Sequence, residues 1–352
     1  MSSPTPASWR SMAVWAVAIG LLALLPFMPQ PIGSSFHMEL GAKILIMAIF
    51  ALSLQLLVGY TGLVSLGHAA YFGAAAYAVA LLAPQSDAGN GWLLLIAALG
   101  TATLLALVIG ALVMRTKGVY FIMVTLAFAQ LVYFVVHDTE GFGGSDGTYI
   151  YFKPRFDVFG LSLFDLERTE HFYWFCLGLM ALTVAALGLV LRSRLGHALV
   201  GIKHNEQRMR AAGYDTVAYK LASFVIGGLF AGLAGFLYSI QHGYVNPEIL
   251  SWHHSGNALL MVILGGLGSL AGAVIGAFSF VLLAEWFQDL TKHWQLLLGG
   301  FIIALVVLLP HGIAGGLASL SRRWKARRPA PTPAPAAPED PPALPRMEER
   351  LP

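Results

Sequence analysis

The residues best suited to chemistry in this chain are polar side chains set into apolar runs. Across residues 59–82, GYTGLVSLGHAAYFGAAAYAVALL, the positions Gly59, Gly62, Ser65 and Gly67 interrupt two such runs just before His68. A break of this kind frees backbone groups that lipid cannot satisfy, so it must be buried in protein or face a water-filled cavity. Two roles are open to Ser65 and His68. They form part of a solute path, since an ionisable group at membrane depth is a site candidate by default, or they belong to a glycine turn with a structurally hydrogen-bonded imidazole. Thr125 and Gln130 lie within VYFIMVTLAFAQLVYFVV. Their five-residue spacing turns them about 140° apart on a helix, so they need different partners. Interhelical hydrogen bonds of roughly 1 kcal/mol account for Gln130 as well as a path does.

Enzymatic chemistry finds no constellation. There is no G-x-x-x-x-G-K-[ST] loop to cradle phosphates, so any ATP must be used by a partner. H-E-x-x-H is also absent, and the 11 histidines are scattered. His253 and His254 are adjacent and point to different faces of a helix, a poor arrangement for sharing a metal. Cys176 is the single cysteine, which excludes an internal disulfide and a cysteine-based metal cluster and leaves a packing role.

The largest basic segment between apolar runs is residues 192–220, RSRLGHALVGIKHNEQRMRAAGYDTVAYK. Its middle, residues 197–212, fits one amphipathic helix with Leu199, Ile202, Met209 and Ala212 as a modest apolar stripe and Gly213 as its C-terminal cap. Such a helix can dock into another protein's groove or lie at the lipid interface, helped by Lys203, Arg208 and Arg210. Elsewhere, Gly228 with Gly232, and Gly268 with Gly272 and Gly276, recur at the spacing that lets helix backbones approach closely.

The elements that must position these residues are membrane helices. Of 352 residues, 57% are hydrophobic and 11% charged, against roughly a quarter charged in soluble domains. The net charge of +3 is small and sits in loops and tail, so nucleic-acid binding is not suggested. Nine apolar segments are long enough, or nearly so, to cross a bilayer: residues 12–28, 40–58, 69–83, 92–114, 119–136, 172–191, 221–240, 256–284 and 294–309. The first resembles a signal peptide but lacks a convincing cleavage site, and reads as an uncleaved helix. Lys43 is the one basic residue inside a segment, near Glu39, where it can snorkel to the interface.

Positive charge then assigns sides. Residues 192–220 carry six basic and two acidic side chains, whereas 138–170 carry three basic and seven acidic; the first is cytoplasmic and the second external. Alternation places Arg115, Lys117 and the N-terminus in the cytoplasm. Three single crossings after Lys220 would put the tail outside, against Arg322, Arg323, Lys325, Arg327 and Arg328. Division of residues 256–284 at their glycines into two short or broken helices removes the conflict. The expectation is eight to ten crossings and a cytoplasmic tail whose Pro- and Ala-rich end is disordered.

Six stretches together resemble a family. They are GYTGLVSLGHAAYFGAAAY, VTLAFAQ, TEGFGGSDG, LGHALVGIKHNEQRMRAAGYD, KLASFVIGGLFAGLAGFLY and NPEILSWHHSGNALLMVILGGLGSLAGAVIGA. Across about residues 40–315 the chain resembles the LivM-like permease subunits of branched-chain amino acid ABC importers, the GFGGSDG loop favouring a LivM-like over a LivH-like subunit. The resemblance implies an all-α polytopic ABC-importer permease in a bacterial inner membrane, with residues 1–315 as the transmembrane domain and 316–352 as tail. It implies a LivH-like second permease, two ABC ATPase subunits that use ATP and Mg²⁺, a periplasmic binding protein, and no cofactor on this chain itself. Carried over, the ATPase-coupling loop includes Arg194, Gly196, Lys203, Asn205, Glu206 and Gly213. His197 and Lys203 stand where the family often has Arg. Gly62, Ser65, Gly67, His68, Thr125 and Gln130 become path candidates. Gly144, Asp146 and Gly147 become periplasmic contacts, where the residues alone fit an Asx turn equally well. Urea-importer permeases share much of this pattern, leaving urea or a short amide as an alternative cargo. A secondary transporter or channel would need an intramembrane charge that no confident span carries at its middle, and an embedded enzyme lacks clustered acids, bases or ligands.

Overall fold

The computed structural model describes residues 34–158, 161–309 and 312–316, with isolated positions between 20 and 26. The 12–28 segment and the tail fall outside the described residues, apart from those few positions. Eleven helices are described. They are α1 (Ser35–Gln55), α2 (His68–Leu82), α3 (Gly91–Val113), α4 (Val119–Asp138), α5 (Thr169–Arg192), α6 (Arg194–His204), α7 (Glu206–Ala211), α8 (Thr216–His242), α9 (Trp252–Gly265), α10 (Leu270–Leu290) and α11 (Trp294–Leu308). Seven are long and apolar enough to cross a membrane. The chain is a polytopic all-α membrane protein with short strands only in its connections.

Local chemistry explains the boundaries. Asn90 Oδ1 accepts from the amides of Trp92 and Leu93 and starts α3. Asp215 does the same for α8 and Ser269 for α10. The packing of α3 on α8 follows from small residues four apart. Ala102 and Ala106, both fully buried, face Gly232 and Gly228, where an added Cβ would overlap their methyl groups. These two glycines do what their spacing predicts.

Two ends of the bundle can be told apart. At one, Glu206 on α7 meets Lys117 in the α3–α4 connection and Lys220 on α8, while Lys203 on α6 reaches the end of α1. At the other, Gln241 at the end of α8 donates to the Glu39 carbonyl at the start of α1. Between these ends the described chain alternates nine times, through α1 to α5 and α8 to α11. The 256–284 segment divides as expected: α9 and α10 form an antiparallel hairpin around a bend at 266–269, with Gly272 and Gly276 against the backbone of Gly265 and Met261. Gly268 departs from the expected helical stripe because it lies in that bend. Gly312, beyond α11, packs on Gly266, so the chain returns to the α6–α7 end.

At the opposite end, residues 139–168 hold β1 (Thr148–Tyr149), β2 (Phe156–Val158) and β3 (Leu161–Phe164). A fourth strand, β4 (Tyr244–Val245), pairs antiparallel with β1, and β2 pairs with β3. Lys43 is ion-paired with Glu285 on α10 at 3.1 Å, not with Glu39. The helix directs it across to a neighbour, where a carboxylate offsets the cost of half-burying its ammonium.

Candidate functional site

The 192–220 loop folds as two helices in place of the expected single one. Asn205 adopts an extended conformation (φ −159°, ψ 97°), ending α6, and its Oδ1 accepts from the Arg208 amide to start α7. Leu199 and Ile202 are buried as expected, but Ala212 is exposed and Met209 folds back onto Gly201. Gly196 is buried against the last turn of α5, where a Cβ would meet Leu191. Gly213 does cap α7, at φ +87°: its amide bonds Arg210 O and the Tyr214 amide bonds Met209 O, a paired closure that requires a left-handed residue.

Glu206 is the centre of the loop's electrostatics. Its Oε1 accepts from Arg210 Nη2 at 2.6 Å, Lys220 Nζ at 3.0 Å and the Thr216 hydroxyl at 3.1 Å, and Lys117 Nζ lies 3.8 Å from Oε2. Burial opposes its ionisation, but the bonds from Lys220 and Thr216 and the charges of Lys220 and Lys117 outweigh that and hold its carboxyl below the usual range. Glu206 thus fastens α7 to α8 and to the α3–α4 connection. Arg194, His204, Gln207 and Arg208 are among the exposed residues of the loop.

Lys203 is exposed but reaches across to the end of α1. Its Nζ donates to the Gly59 carbonyl at 2.5 Å, and its stem covers Gly62. Gly59 lies in a π-helical turn, Leu56–Thr61, that ends α1 at Gly62 with φ +78°. π-turns leave carbonyls out of the ordinary ladder and recur at functional positions. One turn earlier, Gln55 is fully buried and donates from Nε2 to Gly266 O and Ser269 O, at 3.3 and 3.1 Å. The two-helix loop, the π-turn and the hairpin bend are therefore one hydrogen-bonded chain.

Beyond Gly62 the backbone re-enters the bundle and starts α2 at His68. Ser65 is fully buried and accepts from the Gly67 amide; Gly67 lies against the backbone of Thr125, whose hydroxyl accepts from the Leu66 amide at 3.4 Å. The freed backbone groups are thus bound within the protein, as lipid depth demands. His68 Nε2 lies 2.8 Å from Ser53 Oγ. The Ser53 hydroxyl gives its proton to Phe50 O at 2.6 Å, so it accepts from His68, which places the imidazole hydrogen on Nε2 and leaves Nδ1 a bare acceptor. Nδ1, Tyr71 Oη and His254 Nε2 are buried without a hydrogen-bond partner among the described residues. His68 and His254 both stack on Phe50, and Ser255 Oγ accepts from the Ala69 amide.

Residues 38–308 match the family described as the branched-chain amino acid transport system permease component. The chain belongs to this family. Among its relatives, the LivM permease of Escherichia coli K12 is 29% identical over 320 residues, covering 85% of this chain and 74% of LivM. The LivH permease of Salmonella typhimurium is 29% identical over 143 residues, 38% of this chain and 44% of LivH. The xylose permease XylH of Escherichia coli K12 is 31% identical over 138 residues, 36% of this chain and 35% of XylH. No solved structure matches.

Within this permease fold the expected path residues separate. Gly62, Ser65, Gly67, His68 and Thr125 gather around the re-entrant segment, whereas Gln130 is half-buried on another face of α4 with no hydrogen bond among the described residues. Gly144, Asp146 and Gly147 lie together at the opposite end, where Tyr244 Oη donates to Asp146 O at 2.6 Å and ties the loop to β4. The carboxylate of Asp146 accepts from Ser145. Residues 143–147 carry the lettering G-x-S-x-G, but they form a single 3₁₀ turn before a strand. The strand-to-helix elbow that would present Ser145 as a nucleophile is missing. Sequence reasoning missed Ser53, Gln55 and Ser255. The signal for the first two was present: they are the two polar residues in the otherwise apolar ALSLQLLVG run into the break.

Proposed function

We propose that this chain is a membrane subunit of an ATP-driven importer that moves branched-chain aliphatic amino acids into the cytoplasm, beside a second permease. Two separate ATPase subunits hydrolyse ATP with Mg²⁺, and a periplasmic binding protein delivers the cargo. The observation that carries the reading is the family match joined to the loop geometry: a basic two-helix element with one exposed face and, on its other face, Lys203 bonded into the break of α1. A partner that pushes on that element pushes directly on the discontinuous helices. In this reading the α6–α7 end is cytoplasmic, as its excess of Lys and Arg favours, and both termini share that side.

The internal engagement of Glu206 moves the docking surface to Gln207 and Arg208. In cells lacking and regaining the gene, Arg208→Glu should abolish uptake of labelled leucine and copurification of the ATPases while the chain still inserts. Uptake of labelled urea without leucine would refute the cargo. Wild-type chain that copurifies with neither an ATPase nor a second permease would refute the class. A reporter fused after Arg328 that is active only outside the cytoplasm would refute the orientation.

A further inference from the structure

The end opposite the α6–α7 loop holds a pocket of about 290 Å³, where the starts of α1 and α5 meet the ends of α8 and α10. Its charges are balanced, with two lysines, Lys43 and Lys153, and two glutamates, Glu39 and Glu285. Only half are spent on each other, since Lys43 pairs with Glu285. Glu39 and Lys153 have no oppositely charged partner within 4 Å among the described residues, and Lys153 is held over the Phe172 ring, 5.4 Å from Nζ to centroid. Gln241 adds an acceptor. Its Nε2 is committed to Glu39 O, while its buried Oε1 has no partner among the described residues. Phe36, Leu40 and Phe172 supply an apolar wall.

An ammonium over Phe172 of α5 and, at α1 and α8, a carboxylate with a free amide oxygen, none of them ion-paired among the described residues, complement a molecule that carries both charges. A simple anion or cation would satisfy one side and meet repulsion from the other. The apolar wall adds a place for an aliphatic group. We propose that this pocket binds a small zwitterion with an apolar tail, its ammonium toward Glu39 and Gln241 and its acid group toward Lys153. Two sources share that chemistry, a free aliphatic amino acid and the headgroup of an ethanolamine phospholipid. Placement on the outer face rests on the orientation proposed above; the binding chemistry does not.

The test uses the full chain in nanodiscs, with labelled leucine as one probe and retention of phosphatidylethanolamine, read by native mass spectrometry, as the other. Lys153→Met and Glu39→Gln, each checked for an unchanged elution profile, are compared with wild type. Saturable leucine binding in phosphatidylcholine discs, weakened tenfold or more in both variants, supports the site with the free amino acid as ligand. Selective retention of phosphatidylethanolamine, lost in both variants, supports it with the lipid as ligand. Binding of neither probe, or binding unchanged in either variant, overturns the site. A failure of ATPase copurification leaves these outcomes untouched and bears only on the transporter reading.

Discussion

Glu206→Gln isolates the contact that holds the two-helix loop to the membrane helices. The change keeps the side chain's shape and removes its charge, leaving Lys220, only 4% exposed, without a carboxylate. At 3.0 Å and an effective dielectric of about 20, the pair's attraction is about 5.5 kcal/mol. Desolvation and the 21% exposure of Glu206 reduce the expected loss to about 2–3 kcal/mol, or a fall of about 5 °C or more in Tm. Cys176, the single cysteine and fully buried, reports unfolding through a thiol-reactive maleimide dye. Lys220→Met in the Glu206→Gln background removes the stranded charge and should recover most of the loss. The pH dependence has a definite sign. A carboxyl held below its ordinary 4.5 contributes stability that is present above that value and lost as pH falls through the lowered one. Wild type should therefore lose its advantage over Glu206→Gln under acid. Equal Tm values for wild type and Glu206→Gln at pH 7, or a double variant no better than the single one, would refute the argument.

Three further outcomes follow from the same geometry. Lys203→Met keeps the stem over Gly62 but removes the bond to Gly59 O, and should lower uptake at least fivefold while ATP hydrolysis by the assembled transporter persists; Lys203→Arg should restore part of it. Gly67→Ala drives a Cβ to 2.6 Å from Thr125 O and should destabilise by about 2 kcal/mol, whereas Gly100→Ala, with nothing within 4 Å, should leave Tm unchanged or slightly raised. Gln55→Leu strands Gly266 O and Ser269 O away from water and should cost about 1–3 kcal/mol in the same dye assay.

What could be read in advance divides along the range of the forces involved. Lipid imposes apolarity over a whole span, so segment positions were legible; so was the division of residues 256–284, because a charge imbalance at the tail demanded another crossing. The glycine cap at Gly213 and the packing of Gly228 and Gly232 are local or periodic, and the letters carry both. Long-range partners are not carried by spacing. Lys43 was read as snorkelling to the interface, and nothing in its neighbourhood names the ion pair it makes 242 positions away with Glu285. Glu206 was placed in the ATPase-coupling loop, and two residues that claim it inside the protein, Lys117 and Lys220, arrive from the α3–α4 connection and from α8. Asn205 shows the remaining failure: as a mid-helix residue it is merely a poor helix former, but its side chain can also cap the next helix. An apolar stripe with one gap fits one helix or two. Here the second arrangement wins because it lets Lys203 reach the break in α1 and Glu206 reach Lys220, contacts that a straight helix from 197 to 212 would have to make one after the other along a single line.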